Sequence, residues 1–185
     1  DVLIFCARAA TFSGAVNGFF SSSCNIFNRS GAVWMSCESS RVFMSVPAAA
    51  EIVSREEFLK FVKPPAVKVF AAIAGMGRMN TAHIHCQDLF FDDCLDFPVP
   101  IFNWWDRGPK GPSLQWVKER IPGCVMGGIN QKIVARTTRE FLRNHVREGI
   151  ELGGKTRFFL ANGCSSDSWG YPPSMLAIVD EAKAA

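Results

Sequence analysis

From residue 41 onward, the chain combines two regular patterns, short apolar runs and longer repeats at helical spacing. Each apolar run has the length of a strand and is bounded by Gly, Pro or other turn residues. Runs of this kind predict buried strands, which we place at residues 42–46, 79–85, 99–104, 124–128 and 156–161.

Helical patterns separate the predicted strands. The sequence SREE at residues 54–57 has the capping-box spacing that begins a helix. Pro64-Pro65 should kink or divide that helix, because proline lacks a backbone N–H. A long amphipathic helix should begin at a cap in residues 137–140 and end at Gly153-Gly154. Further helices are predicted over residues 88–95, over 113–120 and after Pro172-Pro173.

Strand and helix thus alternate five times with short connections, which predicts an α/β fold with one parallel sheet. No G-x-G-x-x-G motif follows a strand, so a dinucleotide-binding fold is not supported. Eight β/α units in about 250 residues close a TIM-type barrel. The chain therefore corresponds to a partial (β/α) barrel of about five C-terminal units, and we expect sequence upstream of Asp1 to supply the others.

Residues 1–40 differ from the rest because they show neither a steady helical period nor strand alternation. We leave them as an unassigned N-terminal segment, next to the barrel part at 41–185. Five β/α units leave unpaired strand edges, which favour association. We therefore predict that the chain alone is not a stable closed monomer. Either it forms a homo-oligomer or pairs with another chain, or residues 1–40 cover part of the opening.

The composition is that of a globular protein, with 48% hydrophobic and 20% charged residues. The net charge of +3 comes from scattered basic residues, so neither nucleic acid nor an anionic membrane is a predicted partner. No stretch approaches the ~20 apolar residues that a membrane span needs. The seven cysteines are irregularly spaced, which favours reduced thiols in a cytoplasmic protein over a disulfide framework.

Three residues form a candidate metal site. His83 and His85 are two positions apart near the end of a predicted strand, so both should point to the same face. In a barrel, the C-terminal ends of the strands carry the active site, and Cys164 follows the last strand at the same rim. Two imidazoles, one thiolate and an open fourth position are typical of catalytic zinc. Without a metal, the histidines would be hydrogen-bonded residues of a core or cleft.

Two further residues are candidates for contact with a substrate. Asp106 follows two aromatic residues at a strand end, where it could accept a proton or orient a ligand; the alternative is an Asp–Arg pair at a turn. Ser45 lies at the end of the first strand and could also face a substrate, while Gly127-Gly128 would allow a ligand to approach the backbone.

The remaining cysteines and the third histidine are predicted to be structural. Cys86 should point away from His85 as a small buried residue. Cys94 and Cys124 should lie in the core. His145 should lie on the surface, because its helix neighbours are charged.

Five motifs in this order resemble the C-terminal part of the uroporphyrinogen decarboxylase superfamily, over about residues 41–185. They are SREEF at 54–58, HIH at 83–85, NWWD at 103–106, MGGIN at 126–130 and NGC at 162–164. Uroporphyrinogen decarboxylases remove carboxylates from a tetrapyrrole without a metal, and Ser45 matches a serine at their substrate site. Their arginine-rich N-terminal segment has no counterpart here, and they carry a histidine where this chain has Cys164.

The second branch of the superfamily, the cobamide-dependent methyltransferases, binds zinc with an H-x-C motif and a distant cysteine. His83 matches the family histidine and Cys164 the second cysteine, whereas His85 stands where the first cysteine belongs. The resemblance implies zinc, bound by His83, His85 and Cys164, and a corrinoid as methyl donor.

The function we expect is methyl transfer from the corrinoid to a small-molecule thiol, with a corrinoid protein as a candidate partner. Asp106 and Ser45 would position the substrate. One alternative is a metal-free tetrapyrrole decarboxylase, whose cationic groups would have to lie in the N-terminal part. Another is a non-catalytic fragment or binding module.

Overall fold

Five parallel strands form the centre of the structure, a computed structural model that describes residues 26–28, 31–33, 35–38, 41–77, 79–166 and 171–185. They are β4 (Arg41–Val46), β5 (Thr81–Ile84), β6 (Ile101–Trp104), β7 (Cys124–Ile129) and β8 (Phe158–Asn162). Each pairs in parallel with the next along the chain. The predicted α/β fold with one parallel sheet is therefore confirmed.

Three more strands lie in the segment for which the sequence predicted no structure. β1 (Ile26–Asn28) and β2 (Gly31–Val33) form a separate antiparallel pair. β3 (Met35–Glu38) pairs antiparallel with β4 and extends the central sheet to six strands. All other positions in the segment 1–40 lie outside the described residues, so its predicted role in covering an opening remains a prediction, as does the boundary at residue 41.

The first helical stretch runs without a break from Arg55 to Ile73, but its winding changes. It comprises α1 (Arg55–Glu57), a π-helical turn (Phe58–Val62) and α2 (Lys63–Ile73). The predicted capping box is present at Ser54 and Glu57. The wide turn ends immediately before the two prolines. Proline cannot donate to a carbonyl four residues back and crowds it, and the widened turn relieves this conflict without ending the helix.

The other helices follow the strands at the predicted places. Phe91–Cys94 is a 3-10 helix, and α3 (Leu114–Lys118) is capped by the hydroxyl of Ser113. α4 (Arg139–Gly153) is capped by Thr138, and α5 (Tyr171–Ala184) ends the chain. None of the helices in the described part combines the length and apolar character that a membrane crossing requires.

The two faces of the sheet are packed differently. One face forms the main core with the helices before and between the strands, and it includes the alternating residues Val42, Met44, Ala82, Ile84, Phe102, Trp104 and Val125. The opposite face carries a smaller apolar cluster around Ile101, Met126 and Ala161. In register across this second face lie Ser45, His83, Asn103 and Met126, one from each of β4 to β7. Three of the four, Ser45, His83 and Asn103, are polar, and each is the penultimate residue of its strand.

Candidate metal centre

His83, His85 and Cys164 come together at the C-terminal edge of the sheet. One nitrogen of each histidine and the sulfur of Cys164 all lie within 4.8 Å of one another. His83 Nε2 is 3.3 Å from His85 Nδ1, and that Nδ1 is 3.6 Å from Cys164 Sγ. His83 is buried, whereas His85 and Cys164 are half-buried. The cluster is therefore anchored on the sheet and partly exposed.

The backbone explains why residues 79 positions apart meet here. His83 belongs to β5, while His85 follows the strand and donates its backbone N–H to the carbonyl of Val46 at 3.0 Å. Cys164 follows β8 after Gly163, whose N–H donates to the carbonyl of Ile129. A Cβ on Gly163 would lie 2.6 Å from the Trp104 carbonyl oxygen. Glycine at 163 therefore lets the chain pass close to the end of β6 and brings Cys164 next to His85.

The spacing of the three donor atoms matches the needs of zinc. Ligands at about 2.0–2.1 Å for nitrogen and about 2.3 Å for sulfur, at tetrahedral angles, lie about 3.3 Å (N···N) and about 3.6 Å (N···S) apart. The two measured separations, 3.3 and 3.6 Å, agree with these values. Imidazole and thiolate are also the ligand types that zinc prefers. The residues present therefore fit a zinc ion.

The electrostatics of the cluster favour a thiolate. Burial alone would raise the pKa of the Cys164 thiol, but hydrogen bonds and charge from His83 and His85 outweigh it and lower the pKa to about 5. The hydrogen bond with Cys164 in turn raises the pKa of His85 against the effect of burial. Without a metal, Cys164 and His85 therefore stabilise each other's charged forms. A divalent cation would satisfy the same lone pairs.

The two candidate substrate residues lie at the ends of different strands. Ser45 is the register neighbour of His83 on β4 and is half-buried. Asp106 is buried after β6, and both its oxygens accept from the backbone N–H of Gly128, at 3.2 and 3.1 Å. Among the described residues, Asp106 is not one of the converging ligands. Burial raises its pKa to about 7, although the Gly128 N–H and the charge of Arg107 oppose the shift.

The prediction for His145 was wrong. It is 7% exposed, and its Nε2 accepts from the backbone N–H of Asn130 at 2.9 Å. Burial and the charge of Arg107 lower its pKa. Its charged neighbours along α4 do not reveal this burial, since Asn130 comes from the loop after β7.

The other cysteines are distinct from Cys164. Cys94 is buried as predicted, whereas Cys86 and Cys124 are half-buried. Cys86 lies beyond the end of β5 with φ 84°, so it does not follow regular strand alternation. It is nevertheless not part of the converging group among the described residues. Burial, the largest effect, raises the pKa of the Cys86 thiol.

Sequence reasoning assigned no role to Asn103, yet its side chain contacts the cluster directly. Its Oδ1 lies 2.6 Å from His83 Nδ1. The signal was available in principle, because Asn103 is the polar residue of an otherwise apolar strand. Finding its partner required the register of β5 against β6, which places Asn103 beside His83.

The comparisons with known proteins identify a similar fold. No family model matches the sequence, and no curated protein matches it. Among solved structures, a methyltransferase from Methanosarcina mazei is similar, with a TM-score of 0.62 and 18% sequence identity. The alignment covers 78% of this chain and 42% of that protein. The chain thus spans less than half the length of its structural neighbour, and at this identity the likeness establishes a shared α/β fold.

Proposed function

We propose that this chain is the C-terminal part of a (β/α) barrel that binds zinc through His83, His85 and Cys164 and transfers a methyl group from a corrinoid to a thiol. The observation that carries the proposal is the convergence of three donor atoms within 4.8 Å of one another at the C-terminal edge of parallel strands, with two of their separations at 3.3 and 3.6 Å. The structural neighbour, itself a methyltransferase, and the order of the five family motifs support the choice of reaction.

The proposal that the parallel sheet belongs to a closed barrel goes beyond the α/β fold itself. Five parallel strands follow one another in chain order with helices between them, as successive units of a TIM-type barrel do. Closing such a barrel requires about three more units. Another part of a longer protein, or another chain, would supply them, and a second copy of this chain is one candidate.

The chain's own residues would bind and orient the substrate thiol. Zinc held by these residues would lower the pKa of a thiol bound at the open position, so that the thiolate forms at neutral pH. Ser45, beside His83 on the same sheet face, is proposed to donate a hydrogen bond to the substrate. Asp106 is proposed to orient the substrate indirectly. Its carboxyl group accepts from the backbone N–H of Gly128 and so fixes the position of the end of β7.

The reaction can be tested with the purified chain, methylcobalamin and a panel of small thiols. The proposal predicts one zinc ion bound per chain. It also predicts zinc-dependent loss of the methyl–cobalt bond, which absorbance spectroscopy measures. Cys164→Ser should abolish both. Cys86→Ser is the matched control, because Cys86 is also half-buried and adjacent to His85 but outside the cluster.

Two results would overturn parts of this proposal. Stoichiometric zinc binding without any methyl transfer, even when the missing barrel units are supplied, would support the metal site and contradict the proposed reaction. The absence of any zinc binding would contradict the proposed metal site and favour the metal-free decarboxylase alternative.

A further inference from the structure

We infer that Asn103 is a positioning residue that fixes the tautomer of His83, with the proton on Nδ1 and the lone pair of Nε2 directed into the metal centre. The inference rests on the proposed zinc site for its functional meaning. Its structural basis is the hydrogen-bond network on the polar face of the sheet, and that network is independent of any metal.

The orientation of the Asn103 amide is determined by two backbone carbonyls. Its Nδ2 lies 2.8 Å from the carbonyl oxygen of Met126 on β7 and 3.1 Å from that of Asn162 on β8. Carbonyl oxygens only accept hydrogen bonds, so the group facing them must be the NH2. Turning the amide over would place its oxygen against two acceptors inside the sheet. Asn103 is 2% exposed, and such unpaired buried groups are costly.

The fixed amide in turn determines which ring nitrogen of His83 carries the proton. Asn103 Oδ1 faces His83 Nδ1 at 2.6 Å. Because Oδ1 can only accept, Nδ1 must carry a hydrogen. A neutral imidazole has one donor and one acceptor nitrogen, so Nε2 has the lone pair. That atom lies 3.3 Å from His85 Nδ1, inside the cluster.

The sheet register explains how this chain of hydrogen bonds is held in place. His83, Asn103 and Met126 are direct neighbours on β5, β6 and β7, and Asn162 ends β8. The chain of hydrogen bonds therefore crosses four adjacent strands. The His83 ring is also stacked on Phe43 from β4. Metal-binding histidines commonly donate their second N–H to such a partner, which orients the ring. Here the partner's own orientation is determined by two further strands.

Nitrogen NMR of the metal-free chain tests the tautomer directly. The chain contains only three histidines, so 15N-labelled imidazoles can be assigned with His85→Gln and His145→Gln. At about pH 8 in this chain, His83 should show a protonated Nδ1 and an unprotonated Nε2. A parent chain with the His83 proton on Nε2 would overturn the inference, whether or not the chain binds zinc.

Two substitutions separate the acceptor role from a general structural role. Asn103→Leu removes the acceptor, so His83 should populate the Nε2–H tautomer and zinc affinity should fall by about 10- to 100-fold. Asn103→Asp keeps an acceptor at Nδ1 and should retain the parent tautomer, even if the variant is less stable. Asn144→Leu, on the exposed side of α4, is the control and should change neither quantity.

The outcomes also separate this inference from the proposed function. A parent chain with the Nδ1–H tautomer but no zinc binding would support the role of Asn103 and contradict the zinc site. Zinc binding that is unchanged in a folded Asn103→Leu variant, with the parent tautomer retained, would contradict the role of Asn103 and leave the zinc site intact.

Discussion

Two neighbouring strand ends carry ionisable groups in opposite electrostatic settings. At the end of β5, Cys164 meets two imidazoles, and its pKa is lowered to about 5 despite burial. At the end of β6, Asp106 accepts hydrogen bonds from backbone N–H groups, first that of Gly128, and burial raises its pKa to about 7. Both groups lie near the same edge of the sheet, and burial disfavours the charged form of both.

The difference shows that the partners of a group, and not its place in the fold, decide its charge here. The Cys164 sulfur faces groups that can carry or share a proton, so the anion is compensated. The Asp106 carboxyl faces the backbone N–H groups of Gly128, Arg107 and Asp106 itself, and Arg107 contributes charge, but together they do not offset burial. The first arrangement suits a cation. The second suits a neutral carboxyl that can exchange a proton near pH 7.

The largest expected effect is the pH dependence contributed by Asp106. Its folded pKa lies above its unfolded value, so stability is highest when both states are protonated and falls as pH rises from about 4 to about 7. A pKa that rises from 3.8 to about 7 corresponds to about 4 kcal/mol of lost stability across that interval. Asp106→Asn should remove this loss, as measured by urea unfolding at a series of pH values.

Asp92→Asn serves as the control, because Asp92 is exposed. It should leave the pH dependence of the parent chain unchanged. A parent-like loss of stability between about pH 4 and about pH 7 in the Asp106→Asn variant would show that Asp106 is ionised in the folded chain at low pH.

A smaller effect is expected from filling the space that Asp106 occupies. A Cβ on Gly127 would lie 2.5 Å from Asp106 Oδ1 and 3.2 Å from Leu114 Cδ2. Gly127→Ala should therefore lower the free energy of unfolding by about 1–3 kcal/mol through overpacking. A Cβ on Gly75 meets nothing within 4 Å, so Gly75→Ala should have almost no effect. Equal losses in the two variants would contradict the close packing of Asp106 on β7.

The smallest effect compares two half-buried thiols near the cluster. In the metal-free chain at about pH 6, Cys164 should react with iodoacetamide at least about tenfold faster than Cys86, because thiolate is the reactive form. The lowered pKa of Cys164 and the raised pKa of Cys86 give this order. Peptide mapping by mass spectrometry measures both rates. Equal rates would mean that the imidazoles do not stabilise a thiolate at Cys164.

Local patterns in the sequence were sufficient for the order of the elements. The predicted cap at Ser54 and the cap predicted within residues 137–140 are both present, the second at Thr138, and the apolar runs became parallel strands in chain order. These features depend on neighbours within a few positions, which is why periodicity and capping rules find them.

Features that depend on contacts between distant strands were not predicted. The burial of His145 depends on Asn130, and the tautomer of His83 depends on carbonyls from β7 and β8. The short strand β3 lies in a segment without clear alternation. For the candidate site, same-face geometry indicated His83 and His85, while the family resemblance supported Cys164 as the third member. Neither indicated Asn103 as their partner.

The central claim, one zinc ion bound by His83, His85 and Cys164, is tested most directly by X-ray absorption spectroscopy of the zinc-loaded chain. We predict one sulfur at about 2.3 Å and two histidine nitrogens at about 2.0–2.1 Å. The sulfur signal should disappear in Cys164→Ser and persist in Cys86→Ser. A zinc ion without a sulfur ligand in the parent chain, or a sulfur signal that survives in Cys164→Ser, would contradict the claim.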